Sequence, residues 1–538
     1  MRKYISTAAA MLLPALAVML ASCAHTPRGG GPVREFRPIG GIDNNLRNPK
    51  FNATPGSPEL TIAPLRFADR ATLKPVAGPN PRTVSNIIAG GTGANGADAQ
   101  SLDPVASAWL YVFGQFVDHD LSLETSSPDG PRFDIEVKPG DPVFPQGGQI
   151  KMTRDTRHPE TQTVINTTAG YLDLSQLYGA TPEMAASLRA PDGKMKTSND
   201  GQAPQVVNGR FVAGDRRVNE NPTVAMTTTL FMREHNYWVT ELGRLHPEWS
   251  AQMRYEMARA ITTAEYQNII YTEYLPTLIG SVLGPYRGYD ASVNAQVTQE
   301  FSTAAFRVGH TQVSEHQSGR DNDGKITYTQ PLSRAFFNTA AKTLANGLDA
   351  LMRSVTIEFS QATDVYTVPS LRNLLYSPLP GGNVDLVDLI AIDIQRGRDV
   401  GLGTLNQTRK SLGLKPHASF AALTSDKVLQ AQFKSLYGDI DQVDLFMGGQ
   451  AEVHAAGAAV GETFQAIIAR QFHALRAGDR FFWTNQAFDS DTAAQIAQTT
   501  LGQIIKRNTD TARVPQNVFK ADADRATKYS DRSRSTKY

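Results

Sequence analysis

The chain has 538 residues, 41% of them hydrophobic, enough for a large buried core in one or two domains. Lys and Arg number 53 against 52 Asp and Glu, so charge balance argues against a nucleic acid or an anionic surface as partner. With 43 Gly and 31 Pro, near average usage, the composition is neither fibrous nor low-complexity.

The first element in chain order is a leader. Met1-Arg2-Lys3 precedes an apolar run from Ala8 to Ala21, the length of a signal-peptide h-region and too short for a permanent membrane span. It ends Leu20-Ala21-Ser22-Cys23, which resembles a bacterial lipobox, and Cys23 is the only cysteine. The expectation is a lipoprotein signal peptide over 1–22, then a lipidated Cys23 and a flexible tether over 23–35. The protein would then be exported and held at the bacterial cell envelope by lipid alone. Ala24 after the cysteine, in place of an aspartate, favours the outer membrane. With a single thiol there is no internal disulfide, and stability rests on the core and on bound cofactors.

From 36 to about 103 the text is rich in Pro, Gly and Asn, which predicts a long irregular arm over the surface. So long a structureless stretch in a compact domain suggests function nearby. Beyond it, apolar spacing predicts helices over 105–121, 222–245, 252–274, 299–309 and 455–475. Strand signals are few and short, such as 205–207 with 211–212, and no internal repeat is visible. Residues 520–538 are charged and poor in large apolar side chains, which predicts a disordered tail. The fold class is mainly α, one large helical domain over 36–519.

Four segments carry chemistry. On a helix, Gln115, Asp118 and His119 share one face, and the rest of that helix is strongly apolar. Three polar groups on a buried face cost several kcal/mol unless each is satisfied. A capped helix end with a satisfied core histidine is the plainer reading. In Gly214–Pro222, Arg217 and Glu220 point the same way if the turn is helical, and Pro222 suits the start of the helix that follows. A solvated charge pair accounts for these two residues as simply. His310 ends an apolar helical stretch in Ala305–Thr311. Asp393 sits in an apolar run and needs a donor, for which a ligating imidazole N–H is one candidate. Each segment alone is weak.

Together and in this order they resemble the animal-type haem peroxidases, the superfamily of myeloperoxidase and peroxidasin with their bacterial relatives. The resemblance runs from Asn44-Asn45-Leu46 through Pro81–Asn86, Gly114–Asp120, Tyr171–Gly179 and Leu230–Asn236 to the His310 segment, Asp393–Asp399 and Gly478–Trp483. It implies a haem b enzyme that reduces hydrogen peroxide and oxidises a small donor (halide, thiocyanate or phenol) through a two-electron-oxidised haem. His119 matches the distal histidine, Arg217 the distal arginine and Gln115 the distal glutamine of the peroxide pocket. His310 matches the axial iron ligand, with Asp393 as its partner. Arg307 and Arg396 match the partners of the haem propionates, and Asp118 and Glu220 the carboxylates that esterify haem methyls. Asp120, Tyr171, Asp173 and Ser175 match ligands of a calcium ion. The family's threonine four residues before the aspartate is replaced by Ala169, with Thr168 beside it as a substitute donor. His235 and His316 are expected to be bystanders, the first packed in a helix and the second on the loop leaving His310.

Departures sharpen the picture. Asn221 stands where the chloride-oxidising myeloperoxidase carries a methionine linked to a haem vinyl, so that link is absent. Asp393 replaces the asparagine of the mammalian enzymes, which makes the ligating imidazole more anionic. Two rival functions remain. Fatty-acid dioxygenases of the superfamily need a tyrosine three residues before the proximal histidine, where this chain has Arg307. A non-catalytic adhesion protein on the same fold would have no need of Gln115, His119, Arg217 and His310 together.

Overall fold

The structure is a computed structural model that describes residues 35–91, 101–127, 129–336, 347–376 and 385–521. The predicted signal peptide, Cys23 and nearly all of the tether and tail lie outside the described residues. The chain divides after Glu35, and the body begins at Phe36. Helix dominates it. Among the described residues the helices of eight or more residues are α1 (Trp109–Leu121), α2 (Pro222–Leu245), α3 (Ala251–Ile269), α4 (Leu348–Ile357), α5 (Leu389–Asp399), α6 (Lys427–Tyr437), α7 (Glu462–Ala477), α8 (Ser490–Gln498) and α9 (Leu501–Asn508). The sheets among the described residues are two-stranded, the longest pairing His316–Arg320 with Ile326–Pro331. None of the described helices is long and apolar enough to cross a membrane.

Helix α1 forms because Trp109, Val112, Phe113, Phe116 and Val117 recur at helical spacing and all bury. It starts later than its apolar pattern suggests. Asp103 accepts from the N–H groups of Val105 and Ala106 at 2.7 and 2.8 Å, and Leu102–Ser107 pairs as a strand with Phe359–Gln361. Phe116 stacks on Phe231 of α2 at 5.1 Å, and Tyr266 of α3 meets both rings edge-on. At about 1.5–3 kcal/mol per large buried side chain, this cluster fixes α1, and with it the polar residues α1 carries.

Helix α2 matches its predicted span. Asn221 caps it by accepting from Thr223 and Val224 N–H, with Pro222 at the first position. Helix α3 ends as a helix at Ile269 and runs on as a π-turn, Ile270–Tyr274. The predicted helix over 299–309 is broken in three, as Gln299–Thr303, a 3-10 turn Ala305–Val308 and Gly309–Gln312. The helix expected over 455–475 starts only at Glu462, because Gly457 takes a positive φ of 74° in the turn before it. Val206–Val207 pairs with Arg210–Phe211, close to the expected hairpin.

The arm is less irregular than its composition implies, with Pro81–Val84 helical and Ser85–Ala89 a π-turn. Buried charges stitch it to the body. Arg37 meets Asp479 at 2.5 Å, Ile62 and Ala63 N–H donate to Glu300, and Arg82 reaches both Asp141 and Asp388. The start of the predicted tail is pinned too, since Ala521 N–H donates to Val105 O at 2.7 Å.

Candidate active site

A cavity of about 380 Å3 lies between α1 and the Gly309–Gln312 turn. One wall carries Gln115, Asp118 and His119 from α1, with Arg217 and Glu220 from the turn before α2; Arg307 and His310 line it from another element. The 3-10 turn Arg216–Asn219, capped by Asp215, puts Arg217 and Glu220 on one side. Gln115 Nε2 donates to Glu220 at 3.2 Å, and Asn221 Nδ2 donates to Gln115 Oε1 at 3.1 Å. His119 is 4% exposed, with Nε2 at 3.5 Å from Glu220. Burial first, then the Arg217 charge, holds His119 well below its ordinary pKa. The imidazole is therefore neutral and able to accept a proton, rather than titrating near neutrality as a free histidine would.

Arg217 is locked in place. Nε and Nη2 donate to Asp215 at 2.9 and 2.7 Å, and Nη2 also donates to the carbonyls of His119 and Ser122. Its Nη1 lies 4.0 Å from Asp118. Burial lifts the Asp118 carboxyl to about 6 against the pull of Arg217.

On the other side His310 Nδ1 meets Asp393 Oδ2 at 2.6 Å, which leaves Nε2 as the free ring nitrogen. Asp393 is fully buried, and its other oxygen accepts from Arg307 at 2.9 Å. Arg307 in turn donates to the Ser302 carbonyl at 2.9 Å, a group released by the helix break at Ala304. Between these walls Phe306, Leu332, Phe336, Leu371 and Leu389 supply the apolar lining that a flat, largely apolar ring would need. Arg396 departs from the expectation of a cavity-facing cation. It pairs with Asp155 at 2.9 Å and Asp399 at 3.0 Å and is not among the residues lining the cavity.

Beneath α1, Asp120 turns away from the cavity. It accepts from Ser175 N–H at 2.6 Å, Ser175 Oγ at 2.8 Å and Leu174 N–H at 3.0 Å. Asp173 accepts from the same Ser175 N–H at 3.1 Å, and Thr168 Oγ1 lies 3.1 Å from Ser175 Oγ. Tyr171 is buried on the same loop, and Leu174 takes a positive φ of 59° to fold it around Asp120. Burial raises both carboxyls above their usual range, and Asp173 adds to the rise at Asp120. Two crowded acids among hydroxyl oxygens are the donor set a hard divalent cation neutralises. The Thr168 hydroxyl stands in this group although Ala169 occupies the expected position.

Some site residues were not singled out in the sequence. Glu124 and Tyr274 line the cavity, and Asp215 braces Arg217 as the cap of its turn, while Asn221, noted only as a departure from a methionine, also caps α2 and orients Gln115. His235 is buried and bonded to Tyr178 Oη at 3.0 Å, as a packed bystander would be. His316 opens a strand and is exposed, rather than lying on a loop.

Comparison with known proteins identifies the family. Residues 36–519 match the animal haem peroxidase family. Peroxinectin A of Dictyostelium discoideum is 32% identical, covering 90% of this chain and 96% of that protein. Lactoperoxidase of Mesocricetus auratus is 30% identical, covering 91% and 78%. The structure of peroxidase A from Dictyostelium discoideum superposes with a TM-score of 0.81 at 31% identity, over 90% of this chain and 99% of that one. A fatty acid alpha-dioxygenase of Arabidopsis thaliana superposes at 0.76 but only 20% identity, over 91% and 83%, which is a likeness of fold. The chain belongs to the animal haem peroxidase family and is a haem-dependent peroxidase.

Proposed function

We propose that His310 holds the iron of haem b in this cavity and that Gln115, His119 and Arg217 act on hydrogen peroxide opposite it. The observation that carries this reading is the 2.6 Å bond from His310 to buried Asp393, which fixes the ring with Nε2 as its free nitrogen. Bound haem would supply two electrons to the peroxide and recover them from a small donor. His119, held neutral, takes a proton from the peroxide oxygen and returns it to the departing one. Arg217, a permanent cation braced by Asp215, favours the anionic leaving oxygen. Gln115, oriented by Asn221, hydrogen-bonds in the same pocket. His310→Ala should lose most of the Soret absorbance of the purified protein. A variant that keeps full haem with an unchanged spectrum overturns the axial assignment.

Four finer readings accompany it. Arg307, facing the cavity, is the better placed of the two arginines for a propionate, and Arg396 would join only by exchanging Asp155. Asp118 and Glu220 would hold the haem through ester bonds to two of its methyl groups, each bond needing one hydrogen peroxide as the two-electron oxidant and leaving two waters, and complete extraction of haem into acid acetone after peroxide treatment would contradict this. Asp120, Asp173, Ser175 and Thr168 hold calcium with the Tyr171 carbonyl, and a protein whose melting temperature ignores chelators would contradict that. Cys23 is lipidated after export, so finding the wild type soluble with an unmodified thiol would exclude the anchor. The donor is chosen among halides, thiocyanate, phenols or other organic molecules, and protein side chains. Parallel turnover assays with bromide, iodide, thiocyanate and a phenol identify it.

A further inference from the structure

Far from the cavity residues in sequence, the first segment of the body closes a loop on one buried carboxylate. Arg37 Nη2 meets Asp479 Oδ2 at 2.5 Å, and Asn44 Nδ2 donates to Asp479 Oδ1 at 2.7 Å. Asn45 Nδ2 donates to the Ala291 carbonyl at 2.9 Å, and Arg480 Nη2 donates to the Asp43 carbonyl at 2.7 Å. Asn44, Asn45 and Asp479 are all buried. Pinned from below in this way, the loop cannot fold its other side chains inward. Leu46 is 63% exposed and Ile42 48%, and Arg47 and Lys50 are exposed next to them in the chain. A lone exposed leucine is ordinary. Two large apolar side chains and two cations on one rigid loop are the combination that binds a lipid surface, where apolar groups enter the headgroup boundary and cations meet phosphate. The whole chain is balanced in charge, yet Asp43 is the only acid between Phe36 and Lys50.

The position of this loop along the chain points to the same partner. Cys23 lies 13 residues before Phe36, a span of at most about 45 Å when fully extended. Arg37 and Asn44 grip the same carboxylate, so the loop stays beside the point where the tether joins the body. A bilayer that holds a lipid on Cys23 is therefore within its reach. We propose that this loop rests on the bilayer, with Leu46 and Ile42 in the boundary between headgroups and acyl chains and Arg47 and Lys50 against anionic lipid phosphates. The proposal rests on the reading that Cys23 is lipidated. The lipid holds the protein at the membrane, and the loop orients the body on it.

The test uses the mature full-length protein in vesicles of phosphatidylethanolamine and phosphatidylglycerol. Cys23 is the only cysteine, and in the lipidated protein its sulfur is already taken. Leu46→Cys then gives one site for a nitroxide spin label, and Val428→Cys on α6, also an exposed apolar position, gives the control. The label at 46 should collide more with oxygen, which concentrates in lipid, than with a water-soluble nickel chelate. The label at 428 should show the reverse. At low salt, Arg47→Gln and Lys50→Gln should each lower the ratio of docked to undocked label by about fivefold, the scale of one cation near an anionic bilayer. Added salt should lower that ratio in the unsubstituted loop. Lipidated protein in which positions 46 and 428 behave alike overturns the proposal, whether water, the tether or a second copy meets the loop. So does a preference for oxygen at 46 that the two substitutions leave unchanged. Protein that stays soluble with Cys23 unmodified overturns the lipid reading, and this inference with it.

Discussion

The two walls of the cavity hold their histidines by different means. His119 rides on α1, whose position is set by the stack of Phe116 on Phe231 and by full burial of its apolar face. Its neighbours Arg217 and Gln115 are braced by caps, Asp215 and Asn221, that serve the backbone and the site together. His310 sits on a single helical turn beyond a broken helix. Its ring is held through a relay, from Asp393 on α5 to Arg307 and on to the Ser302 carbonyl. A wall built on packed helices loses one function when one side chain is cut. A wall held by a relay loses alignment when any link is cut.

This contrast can be broken in three places. The largest effect should come from His119→Ala. Reaction with peroxide should slow by roughly 10²–10⁴-fold, the scale of general acid–base catalysis, with haem retained because His310 is untouched. Stopped-flow spectra decide, and a rate near wild type would mean that another group carries the proton.

Next comes Asp393→Ala, which removes the acceptor of both His310 and Arg307. Haem affinity or activity should drop by roughly 10–100-fold, as for other partners of a metal-ligating histidine. Asp393→Asn, which can still accept from Nδ1–H, should recover part of it. Full affinity of the alanine variant in a haem titration would show that the backbone turn alone aligns the ring.

The smallest effect concerns Glu273, in the π-turn beside Tyr274, where its carboxylate receives the first N–H of α9 at 2.8 Å. Burial, opposed by that N–H, pushes its pKa up to about 7. The folded chain then holds this proton over a window, from about pH 4 to 7, in which the unfolded chain has released it. More protons bound in the fold mean that this group's contribution to stability falls as pH rises through the window and levels off above it. Glu273→Gln should therefore narrow the difference in melting temperature between pH 5 and pH 8. An unchanged difference would show that the carboxyl does not titrate in the fold.

The two walls were not equally legible in the sequence. Gln115, Asp118 and His119 share a helix face by spacing alone, and α2 was readable from Pro222 to Leu245 because a cap, a proline and an uninterrupted pattern agree. The break before His310 was not, because Ala304 is no helix breaker. There the chain leaves the helix as Arg307 reaches back to Ser302, a tertiary demand that local propensity does not record. The late start of α7 follows from the opposite error, alanines at helical spacing outvoting Gly457. Arg396 reads in the sequence like Arg307, but only the fold shows that Asp155 and Asp399 draw it aside.

Arg82 belongs to the arm, yet its Nη1 donates at 2.7 Å to Asp388, the buried residue that caps α5. Removing one partner of a buried ion pair costs about 3–5 kcal/mol, and here the cost would fall on the helix that carries Asp393. A chain trimmed to begin after Val84 would keep every residue of the cavity and still forfeit the anchor of the wall that carries His310. For recombination or gene fusion, the smallest transferable unit therefore begins upstream of Arg82, and a boundary drawn at α1 divides the enzyme rather than shortening it.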